Sequence, residues 1–336
     1  MDLSNRVIIP MLSVHPDELY LYGKSEWLGN RQVSHKNSLD NLSNSNNHKN
    51  LSNAAKKKAT RAIKYMLLTA TDKKVYNTKF NSSFFFKVAF ITLTLPSEQL
   101  HSDQEIKSLC LNQFLTEARK KWGLTNYVWK AERQLNGNLH FHILLDKFIP
   151  YSELRSCWNR ITNKLGYVDR FEAKHHKRNP NSTDIHSLWK IKDVSKYVCK
   201  YMTKKDKRTK LFVSMDNVPI ENYQHITKSA VSKGAKKYLD SISSVGRIWA
   251  CSVSLSNLTG GSDIAEDCYI SEINSLVKNK AVKCYKSSYV SCYYYDSSLI
   301  NQFDTPNLYG LLQSFVTSKF GNIVQEADII YNYPYK

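Results

Sequence analysis

The apolar positions change their period several times along this chain, and each change marks an element. Ala59, Ala62, Ile63, Met66, Leu67 and Ala70 recur at helical spacing, with Lys57, Lys58, Arg61 and Lys64 on the other side. A strongly β-prone run follows from Phe84 to Leu95 and ends at Pro96. Ser102 and Glu105 then make a capping box ahead of a helical stripe of Ile106, Leu111, Leu115, Ala118 and Trp122, with Gly123 as its stop. Residues 127–135 and 139–145 read as two strands around Asn136-Gly137-Asn138, a hairpin signal. Leu154, Trp158, Ile161 and Leu165 define another amphipathic helix, closed by Gly166. Short strands are expected over residues 167–171 and 184–191, on either side of a basic loop holding His175, His176, Lys177 and Arg178. A helix is expected from Asp193 to about Lys204, and a further strand over residues 247–255.

Outside this stretch the pattern is weaker. Residues 1–36 hold short apolar pieces, Val7-Ile8-Ile9 and Leu19 to Leu21, and the Asn- and Ser-rich segment from Asn37 to Asn53 reads as a flexible linker. The Tyr-rich region from about Gly260 onward carries no functional signal. The expected organisation is an N-terminal extension over 1–53, one main domain over 54–255 and a C-terminal region over 256–336. Strands and helices alternate, but the hairpin demands antiparallel pairing. The expected class is therefore α+β, a central antiparallel sheet flanked by helices.

Charge narrows the partners. The chain has 48 Lys and Arg against 29 Asp and Glu, a formal +19 over 336 residues. Such an excess favours polyanions, because each Lys or Arg set against a phosphate releases a condensed counterion. An anionic membrane or an acidic protein shares that attraction, but no stretch approaches the length that spans a bilayer, and Met1 to Pro16 lacks the pattern of a secretory signal. The seven cysteines are odd in number and never form a C-x-x-C pair, which argues against a disulfide framework or zinc ribbon and for a reducing, intracellular setting.

The most informative stretch runs from Glu132 to His142. On a strand, His140 and His142 project from one face while Leu139, Phe141 and Ile143 point the other way. Two imidazoles side by side can share one metal ion. With Asn136-Gly137-Asn138 as a three-residue loop, Glu132 pairs with His142 and Gln134 with His140, so Glu132 joins the imidazoles on one side of the sheet. A two-residue turn changes the parity and sends Glu132 to the opposite face. Two imidazoles and a carboxylate suit Mn²⁺ or Mg²⁺ acting on phosphate, and Zn²⁺ or Co²⁺ also bind such ligands. Alone, the pair equally fits a polar exposed strand face.

The second constellation is Lys196-Tyr197-Val198-Cys199-Lys200-Tyr201. On a helix Tyr197 and Tyr201 share a face and Lys200 flanks both. A phenol, with a pKa of about 10, is a poor nucleophile at neutral pH. It becomes useful where a metal polarises the phosphate and a cation steadies the developing charge. Attack leaves a 5′-phosphotyrosyl link and a free 3′-OH, so resealing needs no ATP. A second tyrosine can take the next strand transfer. In a chain with 21 tyrosines such a pair also arises by chance packing.

Taken in order, Phe90-Ile-Thr-Leu-Thr-Leu-Pro96, His140-Phe-His142 and Tyr197-Val-Cys-Lys-Tyr201 resemble the motifs of rolling-circle replication initiators of small single-stranded DNA phages, the microviruses, in the HUH endonuclease superfamily. Residues 179–186 and 246–249 also look like the phage proteins, and the likeness spans roughly residues 55–255. The resemblance implies that 54–255 is a nickase domain whose central sheet carries the metal site. His140 and His142 would be its ligands, with Glu132 the less secure third. Tyr197 would be the principal nucleophile, Tyr201 the second and Lys200 the supporting cation. The implied substrate is single-stranded or melted origin DNA in the cytoplasm of a host bacterium. No G-x-x-x-x-G-K-[ST] run is present, so a host helicase, with a polymerase, is an implied partner. The competing class is a non-enzymatic basic DNA-binding or packaging protein, motivated by charge alone. His186 reads as a structural histidine, and Trp129 and Trp189 as packing residues rather than base-stacking ones.

Overall fold

The β-prone run from Phe84 to Leu95 is divided at Lys87, and the two halves enter different sheets. The computed structural model describes residues 6–27, 51–134, 136–188, Cys199, Met202, 247–295, 305–324 and 327–331. In chain order the elements are β1 (Arg6–Val14), β2 (Glu18–Trp27), α1 (Asn53–Thr69), β3 (Lys73–Asn77), β4 (Ser82–Phe86) and β5 (Val88–Thr94). A capped turn, Asp103–Glu105, then leads through a π-helical stretch, Ile106–Leu111, into α2 (Asn112–Trp122). The remainder are β6 (Tyr127–Arg133), β7 (Leu139–Leu145), α3 (Tyr151–Asn163), α4 (Tyr167–His175), β8 (Thr183–Leu188), β9 (Trp249–Cys251), β10 (Gly261–Ile264), α5 (Asp267–Lys278), β11 (Lys283–Lys286), β12 (Val290–Tyr294), α6 (Pro306–Phe320) and β13 (Ile329–Tyr331). Mixed helices and antiparallel sheets make this an α+β protein, as the hairpin signal required. Among the described residues no helix is long and apolar enough to cross a membrane.

The chain forms two compact units. The first comprises Met1–Asn46 and Asn257–Ile323. Its antiparallel sheet has the order β10-β1-β2-β12-β11. Leu12, Val14 and Leu19 are buried, as are Ile273 and Leu276 of α5 and Leu308, Leu312 and Val316 of α6. Gly261 allows α6 to approach β10, because a Cβ there would meet the Leu311 carbonyl oxygen at 2.3 Å. The buried Glu272 carboxylate accepts hydrogen bonds from the backbone N–H groups of Asn307 and Leu308, both 2.9 Å, and so satisfies donors at the start of α6.

The second unit comprises Asn47–Ser256 and Val324–Lys336. Its main sheet has the order β8-β5-β7-β6-β9, antiparallel throughout, with β7 in the centre. A small sheet, β13-β3-β4, stands apart from it. Period-two alternation on β7 sends Leu139, Phe141, Ile143 and Leu145 into the core, where they meet Ile106, Leu111, Phe114 and Leu115 and, from α3, Leu154, Trp158 and Ile161. Burying each such side chain fully stabilises the fold by roughly 1.5–3 kcal/mol. This apolar layer commits the other face of β7 to its two histidines. Helix α1 packs on β6 and β9; Ala59, Ala62, Ile63 and Met66 are buried, while Lys57 and Lys58 stay exposed.

Several expectations need correction. Residues 167–171 are helical, within α4, rather than a strand. Asn163 decides this: its side-chain oxygen accepts from Val168 N at 3.1 Å and Asp169 N at 2.9 Å, and so caps the new helix. The strand expected over 247–255 is confined to Trp249–Cys251 and gives way to a 3₁₀ turn, Val253–Leu255. The strand expected over 184–191 is described as Thr183–Leu188, the remainder lying outside the described residues. Residues 1–36 contribute more than short pieces, since Arg6–Val14 and Glu18–Trp27 pair along nine positions as a long hairpin.

Candidate active site

The hairpin that carries the histidines closes earlier than its sequence suggested. Gln134 N donates to Asn138 O at 2.9 Å, and Gly137, at φ +88°, donates its N–H to Gln134 O at 3.0 Å. Asn138 therefore belongs to the returning arm, and Glu132 stands opposite His140 rather than His142. Lys130 takes the place across from His142. A shift of two in the pairing keeps the parity of the pleat, so Glu132 shares the face of both imidazoles.

The turn is fixed from outside by a buried polar network. Asn138 Oδ1 accepts from Gln99 N at 2.9 Å, Asn138 Nδ2 donates to Ser97 O at 2.8 Å, and Leu139 N donates to Gln99 Oε1 at 2.7 Å. Arg133 donates to the Gly137 carbonyl and to Asp103 Oδ2, both at 2.6 Å, with the Asp103 side chain only 1% exposed. Each buried group is answered, which is the condition for such a network to specify one register.

On the face so defined, His140 Nε2 and His142 Nε2 lie 2.9 Å apart, their rings nearly perpendicular with centroids at 4.3 Å. Glu132 Oε2 lies 3.4 Å from His142 Nε2 and 3.9 Å from Lys130 Nζ. The far nitrogens face hydroxyls on the neighbouring strand: Thr92 Oγ1 is 3.2 Å from His142 Nδ1 and Thr94 Oγ1 is 3.3 Å from His140 Nδ1. The Gln134 amide also lies 3.3 Å from His140 Nδ1. A hydroxyl that accepts from Nδ1–H leaves the Nε2 lone pair directed at its counterpart, the arrangement a shared cation needs. Phe90 stacks on the His142 ring at 5.4 Å and 16°.

Electrostatics favour the ligand forms. The hydrogen bond from His142 holds the Glu132 carboxyl at about 2, with burial opposing and the Lys130 charge assisting. Burial, then the neighbouring His142 charge, lowers His140 to about 4. At neutral pH the first is a carboxylate and the second a neutral imidazole, the protonation states that bind metal. Among the described residues, no three His, Cys, Asp or Glu side chains surround a common point as a ready-made metal cage. His142 Nε2 is instead a shared corner, touched by His140 on one side and Glu132 on the other. The donor set is that of a two-imidazole, one-carboxylate centre, drawn together in direct contact.

Tyr197, Lys200 and Tyr201 lie outside the described residues. Cys199 and Met202, from the same stretch, are helical, and Met202 is 1% exposed. His186 is exposed and pairs with Asp184 at 2.8 Å; it sits on β8, with β5 between it and the histidine strand. Trp129 is buried edge-on to Phe141 and packs in the core, while Trp189 lies outside the described residues.

Three contributors escaped the sequence reading. Thr92 and Thr94 were visible as the polar positions of Ile91-Thr-Leu-Thr-Leu95, alternating with buried Ile91, Leu93 and Leu95. Lys130 precedes Glu132 by two and so shares its face, yet it is 7% exposed, a burial that composition alone does not reveal.

Residues 88–206 match a family described as replication-associated protein of the ORF2 type, a segment that contains β5 to β8, both histidines and the two tyrosines. It covers roughly a third of the chain. No curated protein matches the sequence, and no solved structure does either.

Proposed function

We propose that this protein is a site-specific DNA nickase and strand transferase of the HUH type that initiates rolling-circle replication, with the microvirus initiators as its relatives. The observation that carries the proposal is the facing pair of His140 and His142 imidazoles on the central strand, with Glu132 beside them, inside the segment similar to replication-associated proteins. His140, His142 and Glu132 would hold a divalent ion, Mn²⁺ or Mg²⁺. That ion, when bound, would polarise the scissile phosphate and make phosphorus more electrophilic.

The remaining chemistry falls to side chains. The Tyr197 oxygen attacks phosphorus in line, forming a phosphotyrosyl bond as the P–O3′ bond breaks. The phenolic proton is lost and the departing 3′ oxygen gains one, so the free 3′-OH can prime a host polymerase. Lys200, three residues on, steadies the extra negative charge of the transition state. Tyr201 takes the second transfer, in which its oxygen or a returning 3′-OH replaces the first link and closes the strand. Lys130 adds a second cation under the phosphate position. The substrate is single-stranded or melted origin DNA in the host cytoplasm, with a host helicase opening the duplex ahead.

The test is cleavage of an origin-bearing single strand with Mn²⁺ added or chelated. His140→Ala and His142→Ala are expected to abolish cleavage and leave salt-sensitive DNA binding largely intact. Equal cleavage by wild type and His140→Ala would end the proposal and leave a basic DNA-binding protein.

A further inference from the structure

The tyrosines near the C-terminal end of the first unit gain a meaning from their placement in its sheet. β11 is an edge strand whose four residues are all exposed, and it pairs with β12, which pairs in turn with β2. Tyr285 lies opposite Cys292, which lies opposite Tyr20; Lys283 lies opposite Tyr294. By the period-two rule these side chains share one face. Leu19, one position along from Tyr20, pairs with Tyr293 on the reverse face, where both are buried. The tyrosine face is the open one: Tyr285 is 62% exposed, Tyr294 42%, and Tyr289 in the connecting turn 86%. The rings of Tyr285 and Tyr294 meet edge to face at 5.6 Å.

Charge is arranged with them. Residues 278–295 contain Lys278, Lys280, Lys283 and Lys286 and no Asp or Glu. All four lysines are exposed. Lysine on an edge strand discourages edge-to-edge pairing, and that alone would explain Lys283 and Lys286. It does not explain three exposed phenol rings between the lysines. An aromatic ring stacks on any base, and lysine meets any phosphate, so the combination suits a strand whose bases are unpaired.

We propose that the β11–β12 hairpin is a second nucleic-acid surface, binding unpaired DNA by stacking on Tyr285, Tyr289 and Tyr294 with phosphates met by Lys283 and Lys286. It is sequence-tolerant, because neither stacking nor phosphate contact reads base edges. In a nickase it would hold displaced strand; the binding itself requires no cleavage.

The experiment uses the full chain and a labelled oligothymidylate, which lacks an origin and stays unpaired, with fluorescence anisotropy as the readout. The double variant Tyr285→Ala, Tyr289→Ala is expected to bind roughly tenfold more weakly or worse, while a hairpin duplex of equal charge binds as before. Tyr285→Phe with Tyr289→Phe should restore binding, since stacking needs the ring and not the hydroxyl. Lys283→Gln with Lys286→Gln should lower the slope of log affinity against log salt by about 1.4, at about 0.7 per single-strand phosphate contact. Unchanged oligothymidylate binding by the alanine variant, or an equal loss toward duplex, overturns the proposal.

Discussion

Arg133 closes on Asp103 at 2.6 Å across thirty residues of sequence, and the same guanidinium holds the Gly137 carbonyl. One ion pair thus ties the turn of the histidine hairpin to the start of the helix beneath it. The link matters because register decides what surrounds His140.

Asp103→Ala is expected to destabilise the protein by about 3–5 kcal/mol, since it leaves the Arg133 charge without its main partner in a site only 10% exposed. Urea unfolding measures this. A loss below about 1 kcal/mol would mean that Arg133 finds water or another acceptor and that the turn is held by Asn138 and Gln99 instead.

Thr94→Val should weaken Mn²⁺ binding by about 10–100-fold with little change in stability. The hydroxyl 3.3 Å from His140 Nδ1 selects the tautomer and ring orientation that present Nε2. Isothermal titration calorimetry decides; wild-type affinity in the variant would show that the Gln134 amide is sufficient.

Lys130→Met should move affinity and turnover in opposite directions. Its ammonium is 3.9 Å from Glu132, so removing it takes a positive charge from beside the cation position and is expected to tighten Mn²⁺ several-fold. Cleavage should nonetheless slow by on the order of 10²-fold, because the phosphate loses a fixed cation. Parallel falls in both would mean that Lys130 acts only by holding Glu132 in place.

Acid should weaken the metal-free fold in two overlapping windows. His140 titrates at about 4 when folded and nearer 6.5 unfolded, so the unfolded chain takes its proton first. Its contribution is complete above about 6.5 and lost as pH falls toward 4. Glu132, at about 2 when folded against 4.5 unfolded, contributes fully above 4.5 and loses that contribution as pH falls toward 2. Thermal midpoints against pH should show the decline, and His140→Gln should flatten the part between 6.5 and 4. An unaltered slope in that variant would assign the decline to other groups.

Much of the site was legible in residues 132–142, because alternation on a strand is a strict rule: Leu139, Phe141 and Ile143 had to enter the core, which turned His140 and His142 together to the other side. The exact partner of Glu132 was not legible. Asn136-Gly137-Asn138 announces a turn without saying which residue closes it, and the answer lies in Gln99 and Ser97, about forty residues upstream. Residues 167–171 misled for a similar reason, since the cap that makes them helical is the side chain of Asn163, at the end of the preceding helix. The division at Lys87 was hidden because both halves of the run are β-prone, and only the pairing of Phe86 with Lys73 and of Val88 with Leu188 separates them.

The central claim is that a phenol attacks DNA phosphate under the control of the His140–His142 centre. Its most direct test is mass-spectrometric mapping of the covalent adduct formed on an origin strand with Mn²⁺. The account predicts a nucleotide on Tyr197, with Tyr201 carrying it after a second transfer, and no adduct in His140→Ala. An adduct that forms equally well in His140→Ala, or that maps outside Tyr197 and Tyr201, would contradict it.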